Sequence, residues 1–243
     1  MSEYQLKFKS FGNTAILIEW PQKIAKEILE DIRIFSDRIN RNDIKEIQEV
    51  NFVYASLLII YDNNLISFKD IKHKLQLLYD EDNFAMQRHH TLWEIPVCYD
   101  EEFGIDLDFL STEKKLSMDE IISLHSGTIY TIYGIGFLPG FLYLGGLDKD
   151  LYMPRRDTPR LEVPKGAIAI GGNQTGIYPQ STPGGWHILG KTPVSLFNAR
   201  NEKPCFATPG DKIKFRPISR AEFEVIRIAE DTEVYELKKE LYD

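Results

Sequence analysis

The sequence predicts an α+β protein of two parts, an α/β domain at residues 1–88 followed by a β-barrel domain at residues 89–243. Three observations support this. Apolar runs alternate with helical patterns in the first third, glycine and proline separate short apolar runs in the remainder, and a polar segment lies between the two regions. With 243 residues, 43% of them hydrophobic, the chain is long enough for two domains with their own cores.

The first element pair is a strand followed by a helix. TAILIEW, at residues 14–20, is a short apolar run rich in β-branched residues. The run KIAKEILEDIRIFSDRI follows Pro21 and predicts an amphipathic helix. Its apolar positions at helical spacing are Ile24, Ile28, Ile32 and Phe35.

A second pair repeats this order. NFVYASLLIIYD, at residues 51–62, predicts one buried strand. Ser67, with Asp70 three residues later, resembles a capping box that opens a second helix. The polar segment at residues 83–91 has no clear periodicity and predicts the domain boundary.

The second part begins with a strand at residues 92–100 and short helices near residues 105–126. Ser117 and Glu120 form a capping-box pattern for a helix that ends at Gly127, which places His125 in its last turn. Short runs bounded by turn residues then predict an open or closed β-barrel. These runs are TIYTIYGIGF, GAIAIGG, GWHILG, PVSLFN, DKIKF and FEVIRI.

Composition excludes several classes of partner. A net charge of −8 and a pI near 5.3 disfavour binding to nucleic acid or an anionic membrane, so small molecules or proteins are the expected partners. No apolar run approaches the roughly 20 residues of a transmembrane helix, and the start MSEYQLKFKS lacks the apolar core of a signal peptide. The expected location is cytoplasmic.

No metal site is predicted. Cys98 and Cys205 are too far apart for a metal knuckle and too few for a disulfide framework, so both are interpreted as reduced thiols. His89 and His90 are adjacent, and no acidic or cysteine ligand lies at helical spacing from them, which favours a solvated loop.

The stretch GWHILGKT, at residues 185–192, matches the phosphate-loop pattern GxxxxGK[ST]. A phosphate loop requires a helix immediately after it, whereas Pro193 and β-forming residues follow here. Trp186 and Ile188 alternate with a polar histidine, which indicates a strand.

The segment PRRDTPR and its continuation provide a cationic cluster in an acidic protein, consisting of Arg155, Arg156, Arg160 and Lys165. Arginine can bind a carboxylate or phosphate through two hydrogen bonds, and the neighbouring prolines stiffen the segment. One hypothesis is therefore that the cluster binds an anionic ligand. The alternative hypothesis is that these residues form surface ion pairs with nearby carboxylates. Those carboxylates are Asp148, Asp150 and Asp157.

Neutral hydrogen-bonding groups and aromatic rings accompany this cluster. Gln174, Tyr178 and Thr182 offer polar groups that could orient a ligand. The rings either line a groove or fill the core, and the sequence leaves both open. They belong to Phe137, Phe141, Tyr143 and Trp186.

Several long phrases resemble one family, that of the B subunit of 5-oxoprolinase, also called allophanate hydrolase subunit 1 or KipI-type kinase inhibitor. The phrases are GFLPGFLYLGGLD, PRRDTPR with VPKG, QTGIYP, TPGGWHILGKTP, YASLLIIYD, IPVCYD and PGDKIKF. The resemblance spans nearly the whole chain. It departs at Lys191, where arginine is expected, at Ala167, where serine is usual, and at Gly171, where alanine is common. The lysine creates the phosphate-loop match.

The resemblance implies a ferredoxin-like first domain and a cyclophilin-like β-barrel as the second. It also implies a component, inactive alone, that works with the A and C subunits of 5-oxoprolinase to convert 5-oxo-L-proline to L-glutamate with ATP. In such a reaction Arg155 and Arg160 would neutralise a carboxylate or developing phosphate, and His125 would carry a proton. The remaining residues would bind substrate, namely Phe137, Phe141, Tyr143, Gln174, Tyr178, Thr182 and Trp186.

Two alternatives remain at this stage. The same family includes inhibitors of a sporulation histidine kinase, in which the aromatic residues would be protein contacts. Related domains also occur in urea carboxylase, which predicts a carboxyltransferase-like or allophanate-hydrolase-like component that acts on urea-derived substrates.

Overall fold

A computed structural model describes residues 4–81 and 90–242. His89 and most of the predicted linker lie outside them. Contacts divide the chain into two compact units, Met1–Arg88 and His89–Asp243. Both units combine helices and β-sheet, so the protein is α+β.

The first unit contains a four-stranded antiparallel sheet and two helices. Its elements are β1 (Lys7–Phe11), β2 (Ala15–Glu19), α1 (Lys26–Arg41), β3 (Ile47–Val53), β4 (Ser56–Tyr61) and α2 (Phe68–Asp80). The strand order is β1-β2-β4-β3. Both helices contribute to one core with the buried residues of β2 and β4, so both cover the same face of the sheet.

Both predicted helices of this unit are confirmed, although Ile24 lies before α1 and is exposed. The single strand predicted at residues 51–62 is wrong. A hairpin replaces it, because the chain turns at Tyr54 (φ 56°) and Ala55 between β3 and β4. The apolar run conceals this turn, since neither residue belongs to the types that usually mark one. Ser67 caps α2 as predicted and accepts a hydrogen bond from the Asp70 backbone N–H.

The second unit is built on one eight-stranded sheet. The strands of the whole unit, those of a smaller sheet included, are β5 (His90–Val97), β6 (Ile129–Ile135), β7 (Leu142–Gly145), β8 (Arg160–Val163), β9 (Ala167–Gly171), β10 (Gln174–Ile177), β11 (Thr182–Gly184), β12 (His187–Lys191), β13 (Lys212–Pro217) and β14 (Lys239–Tyr242). The large sheet has the order β12-β9-β10-β7-β6-β13-β5-β14, and β8 pairs separately with β11.

The sheet does not close into a barrel, so of the open and closed forms that the sequence left possible the structure has the open one. Cys98 and Lys191, at the ends of β5 and β12, nevertheless form one antiparallel bridge, with N–O distances of 2.9 Å in both directions. Within residues 90–242 this isolated pair is the contact by which the sheet bends back on itself.

Three helices accompany the sheet, α3 (Leu107–Lys114), α4 (Met118–Gly127) and α5 (Arg220–Asp231), together with a short 3-10 helix (Lys149–Leu151). The capping box of α4 is confirmed, since the Ser117 and Glu120 side chains bond each other's backbone N–H groups.

Two predicted strands of this unit are wrong. FEVIRI lies within α5, because Ser219 caps that helix and buried Phe223 and Ile226 follow helical spacing. PVSLFN forms no strand, and its pairing in the described structure is one isolated bridge between Phe197 and Cys205.

Candidate functional site

Strand alternation creates two apolar surfaces on the large sheet. In β9, Ile168 and Ile170 enter the main core, whereas Ala167 and Ala169 face a second cluster of aromatic residues. Since successive strand residues point to opposite faces, the aromatic cluster lies across the sheet from the main core. This second face forms the floor of a pocket.

The pocket has a volume of about 320 Å³ and brings together six of the ten residues predicted as site residues. These are Phe137, Phe141, Tyr143, Arg155, Tyr178 and Trp186. The wall also contains residues that the sequence analysis did not select as site residues, namely Arg156, Pro159, Pro183, Gly184 and Gly185.

Phe141 lies at the centre of the aromatic wall. Its ring centroid is 4.7 Å from that of Tyr143, 5.1 Å from Tyr178 and 5.9 Å from Trp186. Burial raises the pKa of Tyr143 and of Tyr178, so both phenols keep their protons at neutral pH. The wall is therefore apolar, with hydroxyl groups that can donate hydrogen bonds.

Arg155 supplies a positive charge at this wall. The side chain is exposed, and its guanidinium carbon lies 5.6 Å from the ring centroid of Trp186. The adjacent Arg156 anchors the segment, because its backbone N–H donates to the Gly185 carbonyl at 2.8 Å. An arginine against an aromatic ring is suited to a small carboxylate or phosphate.

Asp106 organises the arginines behind the pocket, and it is the main residue that the sequence analysis missed. Its carboxylate lies 2.6 Å from Nη2 of Arg160 and 3.5 Å from Nη1 of Arg156. Asp106 is 3% exposed, whereas the two arginine side chains are partly exposed, so the ion pair is buried on its carboxylate side. The ion pairs that the structure describes for these arginines involve Asp106, not the expected Asp148, Asp150 or Asp157.

Asp106 also bonds both backbone groups of Ile188 in β12. Its carboxylate accepts from the Ile188 N–H at 2.7 Å, and its own N–H donates to the Ile188 carbonyl at 3.1 Å. An aspartate just before a helix typically caps that helix, yet Asp106 makes no side-chain cap to α3. The sequence carried no signal for its actual partners.

His187 is a second buried polar residue beside this ion pair. Its Nε2 lies 3.0 Å from the Pro154 carbonyl, its ring stacks on Phe109 at 5.4 Å, and burial lowers its pKa. Three buried nitrogens of the group have no hydrogen-bond partner among the described residues. They are His187 Nδ1, Arg156 Nε and Arg160 Nη1.

Four predicted site residues lie outside the pocket lining. Arg160 pairs with Asp106, and Gln174 and Thr182 lie in β10 and β11 without lining the cavity. His125 is fully buried in the main core. Lys165 of the cationic segment contacts Ser195 at 3.4 Å. The strand that the sequence predicted in place of a phosphate loop is confirmed, since residues 187–191 form β12.

His125 belongs to a buried hydrogen-bond chain. Thr175 Oγ1 donates to the Ala169 carbonyl at 3.0 Å and therefore accepts from His125 Nε2 at 2.9 Å. Nδ1 is then free to accept from the Tyr99 hydroxyl at 2.8 Å. Burial lowers the pKa of His125 to about 3, so the ring is neutral.

This burial predicts a pH-dependent stability. Between the unfolded pKa of 6.5 and the folded pKa of about 3, the unfolded chain binds a proton that the folded chain excludes. The free energy of unfolding should therefore fall by about 2 kcal/mol from pH 7 to pH 5 through this residue. Urea unfolding of the wild type and His125→Gln checks this, and equal pH dependence in the two proteins would contradict it.

The described residues hold no cluster of three or more His, Cys, Asp or Glu side chains that could bind a metal. Among the helices of the same residues, none has the length and apolar character needed to cross a membrane.

Comparison with known proteins places this architecture among named relatives. The family model "Carboxyltransferase domain, subdomain C and D" matches residues 6–207. The chain is 32% identical to the B subunit of 5-oxoprolinase from Bacillus subtilis, over 92% of this chain and 97% of that one. It is 43% identical to the B subunit from Haemophilus influenzae, over 65% of this chain and 74% of the relative.

A solved structure resembles the fold more distantly. The crystal structure of the Kluyveromyces lactis urea amidolyase superimposes with a TM-score of 0.83 at 19% identity. The match covers 99% of this chain but 16% of that chain, so the fold is shared with a small part of a much longer protein.

Proposed function

The chain belongs to the carboxyltransferase family of subdomains C and D, and from this membership we propose that it is the B subunit of a 5-oxoprolinase. The similarity to proteins of that name over most of both chains carries the proposal. In it the chain acts with the A and C subunits to convert 5-oxo-L-proline to L-glutamate with ATP, and it is inactive alone.

The pocket supports this role through its chemistry. The substrate combines a small ring with a carboxylate, and the pocket combines aromatic walls with Arg155. We assign Arg155 to the carboxylate or to a phosphate that develops on the amide oxygen, and Tyr143 and Tyr178 to hydrogen bonding. Arg160 and His125 have no direct part in this assignment, since the first pairs with Asp106 and the second is buried.

ATP use is assigned to the complex. The phosphate-loop match of this chain is strand β12, which lacks the following helix that would direct backbone N–H groups at a phosphate. The proposal therefore gives this chain one wall of a shared active site and no nucleotide site of its own.

The finer fold assignment belongs to the same proposal. The crossover β2-α1-β3 leaves room for β4 between its strands, which is the split β-α-β unit of ferredoxin-like folds, and β1 occupies the outer position beside β2. The curved sheet of the second unit, bridged at Cys98 and Lys191, supports a cyclophilin-like arrangement.

Reconstitution tests the function. This chain and the purified A and C subunits are mixed singly, in pairs and together with 5-oxo-L-proline and ATP, and L-glutamate is measured. Turnover in the triple mixture alone is the expected result. No turnover in any mixture would overturn the proposal. Inhibition of a histidine kinase, or capture of a biotinylated protein from a lysate, would then indicate a regulatory protein or a carboxyltransferase component, respectively.

A further inference from the structure

The residues on either side of Arg155 are hydrogen-bonded to the chain at the start of β12. On one side, the Pro154 carbonyl accepts a hydrogen bond from Nε2 of His187 at 3.0 Å. On the other side, the Arg156 backbone N–H donates to the Gly185 carbonyl at 2.8 Å. The backbone of Arg155 is therefore restrained at both ends.

Strand alternation at this point places Trp186 and His187 on opposite faces. Trp186 belongs to the aromatic cluster of the pocket, whereas His187 stacks on Phe109 at 5.4 Å. The guanidinium carbon of Arg155 lies 5.6 Å from the Trp186 ring centroid. The arginine side chain is thus supported on the pocket side, and its backbone is supported by His187 on the side away from the pocket.

The bond to Pro154 is the polar contact that explains a histidine at position 187. A carbonyl oxygen can only accept, so Nε2 carries the hydrogen, and burial lowers the pKa of His187, which favours the neutral ring. Nδ1 is buried without a hydrogen-bond partner among the described residues. Because an unpaired buried nitrogen costs stability, an apolar side chain would fill this space beside Phe109 more favourably.

Arg155 benefits from this restraint because its side chain is weakly held. It is exposed and rests on an aromatic ring rather than in a buried ion pair. A mobile arginine loses conformational entropy when it binds an anion, and this loss weakens binding. A fixed backbone on both sides limits the positions of the guanidinium and reduces that loss.

We propose that His187 is a positioning residue for Arg155. Through its hydrogen bond to the Pro154 carbonyl, it keeps the arginine over Trp186, where the guanidinium binds the carboxylate of the substrate. His187 acts through Arg155 and does not contact the substrate itself. The identity of the substrate rests on the proposed function, whereas the restraint of the arginine segment by His187 does not.

The experiment compares His187→Met with His187→Gln. The two new side chains are unbranched and similar in length, but glutamine keeps an N–H donor and methionine has none. In the reconstituted complex, His187→Met should raise KM for 5-oxo-L-proline about 3- to 10-fold, the value of one neutral hydrogen bond, with kcat changed less than about twofold. His187→Gln should keep KM within about twofold of the wild type. His73→Met, on the exposed side of α2, is the control and should change neither constant.

A double variant tests whether His187 acts through Arg155. In an Arg155→Ala background, His187→Met should change KM by less than about twofold, because the side chain that it positions is gone. The same fold-increase in both backgrounds would mean an independent structural role and would overturn the proposal. A wild-type KM for His187→Met, or a KM for His187→Gln as high as that for His187→Met, would also overturn it.

Amide hydrogen exchange, followed by NMR, tests the restraint without turnover. In His187→Met the Arg156 amide should exchange at least about tenfold faster than in the wild type and in His187→Gln. The Ile132 amide, which donates to the Asp211 carbonyl in the same unit, should keep its rate. Unchanged exchange at Arg156, or equal acceleration at both amides, contradicts the proposal. If the wild-type complex does not turn over 5-oxo-L-proline, the proposed function fails, while the Arg156 exchange rate still decides whether His187 restrains the segment.

A variant that fails to fold does not end the test. If His187→Met does not fold, His187→Asn replaces it, because the asparagine amide is one bond shorter than that of glutamine and does not reach the Pro154 carbonyl. Its KM should then rise as expected for His187→Met, and a wild-type KM would overturn the proposal. If neither variant folds, His187 is required for folding and the proposal is wrong.

Discussion

Replacing Asp106 with alanine is expected to lower the free energy of unfolding by about 2 to 4 kcal/mol, because it breaks a partly buried ion pair and leaves a buried backbone N–H without its acceptor. The substitution would leave Arg160 and Arg156 without their shared carboxylate in a group where three nitrogens already lack partners. It would also remove the acceptor of the Ile188 N–H. Urea unfolding, followed by near-ultraviolet circular dichroism, measures the loss.

Two further variants separate charge from hydrogen bonding. Asp106→Asn retains an oxygen for Ile188 but loses the charge, so a smaller loss is expected. Asp108→Ala, on the exposed side of α3, should change the free energy of unfolding by less than about 0.5 kcal/mol. If Asp106→Ala has the same free energy of unfolding as the wild type, the ion pair does not stabilise this region.

Arg155→Ala is expected to raise KM for 5-oxo-L-proline in the reconstituted complex by about 10- to 100-fold, the value of a hydrogen bond to a charged group. The side chain is exposed and lies on Trp186 rather than in a buried pair, so stability should be nearly unchanged. Arg155→Lys keeps the charge but lacks the planar fork, so it should recover activity only in part.

Arg160→Ala is expected to affect stability rather than KM, in contrast to Arg155→Ala. Arg160 pairs with Asp106 behind the pocket, so its loss should appear mainly in the urea transition. The assignment of Arg155 as the anion-binding residue is wrong if Arg155→Ala leaves KM and kcat at wild-type values. It is also wrong if the variant loses activity only in proportion to a loss of folded protein.

Local signals in the sequence predicted the local structure well. The Ser117 and Glu120 capping box needs residues three positions apart and was confirmed. The hairpin turn at Tyr54 was missed, because an ordinary aromatic residue there adopts a positive φ inside an apolar run. In α5, β-branched residues suggested a strand, whereas the Ser219 cap and the burial of Phe223 and Ile226 favour the helix.

Contacts between residues far apart in the chain could not be predicted from the sequence. Clustered aromatic and arginine residues predicted the composition of the pocket, since its walls come mostly from segments that lie near one another in the chain. Asp106 and Arg160 are 54 positions apart, and no spacing rule relates them. His125 shows the same limit, because its burial depends on contacts with Tyr99 and Thr175 that only the folded chain creates.

The contacts that cover the outer edge of strand β12 have a consequence for solubility. As the last strand of the sheet, it would present unpaired N–H and C=O groups that could recruit a strand from another molecule. Single residues occupy that edge instead: Asp106 satisfies both backbone groups of Ile188, and Cys98 satisfies both of Lys191. These contacts cover the exposed edge of the sheet at β12, so the fold limits self-association through this edge without a ninth strand.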